Sequence, residues 1–308
     1  MDTIVITGGA GFIGSELAKA CSDSFHVRTL DVRTPRQAVG KHYCSDLLDY
    51  ESLLPAFEGA RTVLHLAGIP HPQAFRHQRT LEINTIGTYN ILEAMLANHA
   101  RELVFMTSEA ALGLTYFARK PVTELSFPIG TSTTLRANES YGFSKLLCER
   151  LITQYCQEYD LGCVSLRCPW VWNFDNLVPA AGRTPEGRGL TYGEAVNNPE
   201  SGKAHVWAYL ALSDLLEALR RAITRTSPGR HVVIPLTAPD TFSRIKSLDL
   251  IARFYPGCEV KEARFQRDEF TTLYDLSDTE RLLSFRPMTS WREKAEALLG
   301  SDGDNHEP

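Results

Sequence analysis

The sequence of 308 residues is 43% hydrophobic and 22% charged, a balance that suits one large α/β domain or a main domain with a smaller lobe. A formal net charge of -5 gives no basic field for nucleic acid, and no apolar run approaches membrane-spanning length. Seven cysteines, odd in number and without C-x-x-C spacing, read as reduced thiols of a cytoplasmic protein with no metal site.

The chain enters a β-branched run at once, Thr3-Ile4-Val5-Ile6-Thr7, so no signal peptide is expected. Gly8, Gly11 and Gly14 follow at three-residue spacing, with Phe12 and Ile13 opening an amphipathic helix. This is the recipe for a dinucleotide site. Gly8 turns the chain off the strand, and Gly11 lets the backbone approach a pyrophosphate. Gly14 allows close packing of the helix, whose N-terminal N–H groups face the phosphates. The second apolar run, His26 to Leu30, ends in Asp31 about 20 residues on, where a carboxylate binds the adenosine ribose. A carboxylate there accepts from ribose hydroxyls and repels a 2′-phosphate, so NAD is expected over NADP. Arg33, two residues later, softens that preference.

In Tyr43-Cys44-Ser45-Asp46-Leu47 a short third strand is followed by Asp46 and Leu47, at the carboxyl edge of the sheet near the adenine. A helix N-cap role fits Asp46 equally, since Tyr50 to Phe57 reads as a helix. The fourth strand, Arg61 to Gly68, brings Leu66, Ala67 and Gly68 close to the cofactor, with His65 as a packed strand residue. A helix over Thr80 to Ala97 carries Asn84, either holding the backbone of the active-site strand or exposed. The fifth strand ends in Thr107-Ser108-Glu109, hydroxyls and an acid at the edge where open α/β sheets bind ligands. About thirty residues of loop follow, too long for a mere connection.

Tyr141 and Lys145 are spaced i, i+4 at the start of a helix running to about Tyr159, and so share one face. A free phenol titrates near pH ~10, too high for a base; a neighbouring ammonium favours the phenolate. Between Trp170 and Trp207 the chain is irregular and carries Asn173, Asp175, Arg183 and Arg188. The aromatics Trp170, Trp172, Trp207 and Tyr209 suit stacking on a sugar ring, and core packing explains them equally. Further helices are expected at Ser213 to Thr226 and near Leu248 to Tyr255, with a strand at His231 to Ile234. The tail from Ser301 has a disordered composition.

With the glycine loop, Asp31, Ser108, Tyr141 and Lys145 in this order, the chain resembles the extended short-chain dehydrogenase/reductases, the NAD-dependent epimerase/dehydratase family. Thr7 to Gly14, His65 to Gly68, Asn84, Val104 to Ser108, Tyr141 to Lys145, Leu166 to Pro169 and the Asp275–Trp291 tail carry the likeness. The resemblance implies a Rossmann-type doubly wound parallel sheet with a small C-terminal substrate-binding lobe. The cofactor domain is expected at residues 1–169, with 208–235 completing the sheet, and the lobe at 170–207 and 236–300. It implies Tyr141 as acid/base, Ser108 on the same substrate oxygen, Lys145 on the nicotinamide ribose and Pro169 beside the nicotinamide. It further implies a sugar or sugar-nucleotide substrate and a homodimer through the helices bearing Tyr141 and Asn84.

The departures bear on the substrate. Arginines that hold a nucleotide diphosphate in many such proteins fall at Trp207 and near Phe265, though Arg167, Arg183, Arg188, Lys203 and Arg267 are available to compensate. Glu109 stands where dehydratases carry the first of two acids, but Ala110 follows it. The expectation is therefore an epimerase-type oxidoreductase acting at a sugar carbinol. Its alternatives are a net dehydrogenase or reductase of a smaller polyol, sugar acid or hydroxy ketone, and a sugar-nucleotide dehydratase using Glu109.

Overall fold

Strands that are buried on both faces read as near-continuous apolar runs rather than as alternating ones. Thr62–His65 and Gly162–Cys168 are buried at every position, and Thr3–Thr7 at every position after the first. The computed structural model describes residues 1–71, 77–115, 122, 124–174 and 191–294.

In chain order the first part runs β1 (Thr3–Thr7), α1 (Phe12–Cys21), β2 (His26–Asp31), β3 (Lys41–Cys44), α2 (Tyr50–Phe57), β4 (Thr62–His65), α3 (His77–Leu81), a π-helical turn (Glu82–Ile86), α4 (Gly87–Ala97) and β5 (Glu102–Ser108). A 3-10 turn (Glu109–Leu112), β6 (Ser126–Phe127), α5 (Ser140–Tyr159), β7 (Gly162–Cys168) and β8 (Trp170–Trp172) follow. The remainder comprises α6 (Tyr192–Asn197), β9 (Tyr209–Ala211), α7 (Leu212–Ala222), β10 (His231–Pro235), α8 (Ser247–Phe254), β11 (Glu259–Val260), α9 (Glu262–Arg267) and α10 (Ser277–Leu283). The helix expected over Thr80 to Ala97 is thus interrupted by a π turn, and the one expected to reach Thr226 ends at Ala222.

Among the described residues, seven strands form one sheet in the order β10-β7-β5-β4-β1-β2-β3, and the pairings from β5 across to β3 are parallel. Strand order reverses between β4 and β1. That is the switch point at which doubly wound sheets leave a crevice beyond their carboxyl ends. Register places Thr7 opposite both Leu30 and His65, and His65 opposite Phe105, so the ends of β1, β2, β4 and β5 come to one edge. Val5, Leu30, Val63 and Phe105 meet Leu53 and Phe57 of α2, Ile91 and Met95 of α4, and Ile152 of α5 in a closed core. Each such fully buried side chain contributes about 1.5–3 kcal/mol.

The chain divides into two compact units. The first holds residues 1–111, 137–167 and 216–233, and the second holds 112–136, 168–215 and 234–308. In the second unit β8 pairs with β9 and β6 with β11, both parallel. Part of the long loop after β5 is therefore a strand with a partner rather than a connection. The core of this unit is aromatic: the Trp172 ring lies 4.7 Å from Tyr209 and 4.9 Å from Tyr192, centroid to centroid. Trp207, Phe265 and Tyr274 are buried in the same cluster. Its closing segment is fastened by polar bonds, with the Tyr209 hydroxyl donating to Asp240 and accepting from the Trp291 amide at 2.8 Å. No helix among the described residues is long and apolar enough to cross a membrane.

Candidate active site

The glycine loop forms the floor of the sheet edge. Gly8 sits at φ +74, and a Cβ there would lie 2.9 Å from the Ala67 nitrogen, so only glycine leaves both the turn and the neighbouring strand end intact. A Cβ on Gly14 would stand 2.2 Å from the Gly8 carbonyl oxygen. The first turn of α1 is thereby laid directly on the loop. Gly11 caps this helix without a side-chain bond, and its first turn carries no acid, which leaves its N–H groups and the positive end of the dipole for an anion. Phe12 is exposed and Ile13 half-buried on that turn.

Asp31 ends β2 and is buried. Its carboxylate accepts from the Ala10 amide at 3.1 Å and the Arg33 amide at 3.0 Å, tying the loop to the second strand. The exposed Arg33 guanidinium lies 3.5 Å from the same carboxylate. These features fit a dinucleotide: an open helix N-terminus for the pyrophosphate and a carboxylate beyond the next strand for the ribose.

Beside the loop, the Thr7 hydroxyl accepts from the Ala67 amide at 3.1 Å and bonds His65 Nδ1 at 2.7 Å. Thr88 donates to the Asn84 carbonyl and meets His65 Nε2 at 3.1 Å. Both hydroxyls can be satisfied only if Thr7 donates to Nδ1 and His65 carries its proton on Nε2. Burial, and then the charge of Lys145, push the imidazole down to about 3, so it is a neutral packed residue, as expected.

Asn84 sits in the π turn, a feature frequent at functional sites. Its amide accepts from the Ile69 N–H at 2.7 Å and donates to the Ile69 carbonyl at 3.1 Å and to Ser144 Oγ at 2.9 Å. The sequence suggested that Asn84 holds the active-site strand or is exposed; it is buried and holds the turn after β4 instead. Gly68 belongs to that turn, at φ +148, with room for no Cβ against Asn84. Leu66 precedes it at the strand end.

Asp46 is exposed and its carboxylate accepts from the Leu48 amide, while Asp49 caps α2 by accepting from Ser52. The expected cap is therefore displaced by three residues, because a turn intervenes between β3 and the helix. Leu47 is buried against Gly87, and its carbonyl accepts from Asn90 at 2.8 Å.

At the end of β5 the Ser108 hydroxyl accepts from the Ala110 amide at 3.2 Å, and Glu109 is buried at the start of the 3-10 turn. The Thr107 hydroxyl donates to Glu149 at 2.8 Å. A Cβ on Gly142 would fall 2.2 Å from the Ala110 carbonyl, so glycine seats the first turn of α5 on the segment just after Ser108. Glu139 caps α5 by accepting from the Tyr141 and Gly142 amides, both at 2.6 Å, and burial raises its carboxyl above the ordinary range. Lys145 is buried, donates to the Met106 carbonyl at 3.0 Å, and holds its ammonium 5.8 Å from the centre of the Tyr141 ring. Pro169 is buried just past β7.

Several candidates for substrate contact are engaged elsewhere. Trp172, Trp207 and Tyr209 are fully buried and belong to the core; Trp170, half-buried, stacks on Phe242. The Trp207 ring lies over Gly202, where a Cβ would be 2.1 Å away, and its Nε1 donates to the Pro199 carbonyl at 2.8 Å. Phe265 is likewise core, and Arg267 is exposed on α9. Arg167 forms a buried bidentate pair with Glu149, so it is no phosphate ligand. Lys203 pairs with Glu200 at the surface. Asp175, Arg183, Arg188 and the tail from Ser301 lie outside the described residues. Within the second unit a cavity of about 320 Å³ opens between Asn173, Phe174, Ser213, Met288 and Thr289.

Sequence reasoning missed the Glu139 cap and the Glu149–Arg167 pair. A carboxylate one helical turn beyond Lys145, on the same face, was the available signal for the latter.

Residues 4–172, more than half of the chain, match the model of the NAD dependent epimerase/dehydratase family. An L-arabinose 1-dehydrogenase (NAD(P)(+)) of Haloferax volcanii is 28% identical over 77% of this chain and 88% of its own length. A UDP-glucose 4-epimerase of Streptomyces lividans is 25% identical over 92% of this chain and 91% of its own. The solved UDP-glucose 4-epimerase of Thermotoga maritima superposes with a TM-score of 0.68 over 97% of both chains at 20% identity, a likeness of fold. With the glycine loop, the seven-stranded sheet and this match together, the chain belongs to the NAD dependent epimerase/dehydratase family.

Proposed function

We propose that the protein is an NAD-dependent oxidoreductase or epimerase acting at a carbinol of a sugar, with Tyr141 exchanging the proton of the substrate hydroxyl. The observation that carries this is the placement of Lys145, buried one turn beyond Tyr141 with its ammonium 5.8 Å from the phenol ring. An ammonium beside the phenol would favour phenolate, the form in which a tyrosine works as a base. Ser108, at the end of β5, would hydrogen-bond the same substrate oxygen and orient it. Gly8, Gly11, Phe12, Ile13, Gly14 and Asp31 would hold the dinucleotide, and Leu66, Ala67 and Gly68 would line its path. Lys145 would also hold the nicotinamide ribose. The bound nicotinamide supplies a two-electron acceptor and donor for hydride; the chain's own part is to bind, orient and move the proton.

A second reading, net dehydrogenation of a free sugar or sugar acid, is favoured by what became of the arginine positions. Trp207 and Phe265 are core, and Arg167 is spent on Glu149, so the expected grip on a diphosphate is absent at those places. The relatives include an L-arabinose dehydrogenase and a uronate dehydrogenase as well as epimerases. Dehydration through Glu109 lacks a second acid, since Ala110 follows.

A screen of nucleotide sugars against free sugars and sugar acids, following both nicotinamide absorbance and product stereochemistry, separates these forms. An epimerase inverts a centre without net absorbance change, whereas a dehydrogenase accumulates reduced cofactor. Tyr141→Phe should lower kcat by about 100-fold or more while cofactor affinity holds. Full activity in that variant would overturn the assignment.

A further inference from the structure

Tyr141, Lys145 and Glu149 stand one helical turn apart on a single face of α5. The first two belong to the proposed site. Glu149 is 4% exposed, and its carboxylate is fully engaged. Oε1 accepts from the Thr107 hydroxyl at 2.8 Å and from Arg167 Nε at 3.0 Å; Oε2 accepts from Arg167 Nη2 at 2.7 Å. A buried ion pair is poor value as mere packing, because desolvating both ions can exceed their attraction, and apolar residues of like volume often serve as well. What the charged fork adds is direction. A bidentate guanidinium–carboxylate pair holds α5 and β7 in one geometry, and the third bond reaches the neighbouring strand, β5.

Those elements meet where the site is built. Lys145 Nζ donates to the Met106 carbonyl, Glu149 takes the Thr107 hydroxyl, and Ser108 is the next residue of β5. Two consecutive residues at the strand end are therefore held by two consecutive turns of the helix that carries Tyr141. We propose that Glu149 is a positioning residue: held by Arg167, it latches the end of β5 to α5 and sets Ser108 and Lys145 relative to Tyr141. This rests on the reading of Ser108, Tyr141 and Lys145 as the reacting site.

The test uses two variants. Thr107→Val removes one bond of the latch and no charge. Glu149→Gln combined with Arg167→Met removes the ion pair without stranding a buried ion. Each is compared with the parent holoenzyme for thermal midpoint, NADH affinity by fluorescence titration, kcat and KM. The phenol pKa of Tyr141 is read from tyrosinate absorbance, as the difference from the same background carrying Tyr141→Phe. In the folded double variant, kcat should fall by about ten- to a hundredfold with KM and NADH affinity little changed. Thr107→Val should show a smaller loss of the same kind. The phenol pKa should rise in the double variant, because the ammonium is no longer held beside the ring. A kcat loss that merely follows the folded fraction overturns the proposal, as does an unchanged kcat and phenol pKa in a folded double variant. Tyr141→Phe alone separates the two ideas: should it stay fully active, the functional reading fails, while the phenol shift still decides whether Glu149 positions Lys145.

Discussion

Single residues at the sheet edge do two kinds of work, and their partners tell which: Asp31 bonds loop amides, His65 two buried hydroxyls. Asp31 ends β2 with both carboxylate oxygens on loop amides and Arg33 at 3.5 Å. Asp31→Ala should weaken NAD binding by about ten- to a hundredfold, the worth of one charge-assisted hydrogen bond, and NADP binding by less. Parallel titrations with the two cofactors check this, and equal losses would remove Asp31 from the ribose site. His65 does structural work. Its folded pKa, about 3, lies below the unfolded value of 6.5, so the unfolded chain binds the extra proton between them. The stabilisation is complete above pH 6.5 and is lost as pH falls toward 3, by up to about 1.4 kcal/mol per pH unit. His231, pushed down to about 4 by burial, acts in the same direction. Denaturant midpoints from pH 7 down to pH ~4.5 should therefore fall less steeply for His65→Asn than for the parent protein.

At the scale of elements, the π turn between α3 and α4 is the feature with the most specific consequence. It turns Asn84 on to Ile69, whose N–H and carbonyl are both met by one side-chain amide. Asn84→Ala would leave those buried groups without partners and should cost about 1–3 kcal/mol. The loss should be read both in thermal unfolding and as faster hydrogen exchange at the Ile69 amide. Slow exchange in the variant would mean that the turn is held by packing alone. The helix itself was legible in the sequence through its apolar spacing; the π turn within it was not. A single extra residue in one turn leaves no mark on a hydrophobic pattern whose period it barely changes. The same reason hid the cap of α2, since Asp46 and Asp49 both satisfy the composition rule and only the path of the chain selects Asp49.

At the scale of the whole molecule, α4 and α5 of the first unit present exposed aromatics. Tyr89 is 43% exposed and Tyr159 45%, with Tyr155 between them at ring distances of 6.2 and 5.2 Å. If a second copy of this chain covers that patch, Tyr89→Arg with Tyr159→Arg should shift sedimentation from dimer to monomer. A parent protein that is already monomeric would dismiss the patch as an interface. The sequence by itself determined the glycine loop, the order of strands and helices that build the seven-stranded sheet, and the Tyr141–Lys145 face, because each is set by neighbours within a few residues: glycine conformation, apolar period, i, i+4 spacing. Only the tertiary structure decided which side chains are free. Trp207 and Tyr209 became core and Arg167 was taken by Glu149, although each carries the chemistry of a ligand-binding residue. Burial and partnership depend on segments far apart in the chain, and composition at one position holds no record of what folds against it.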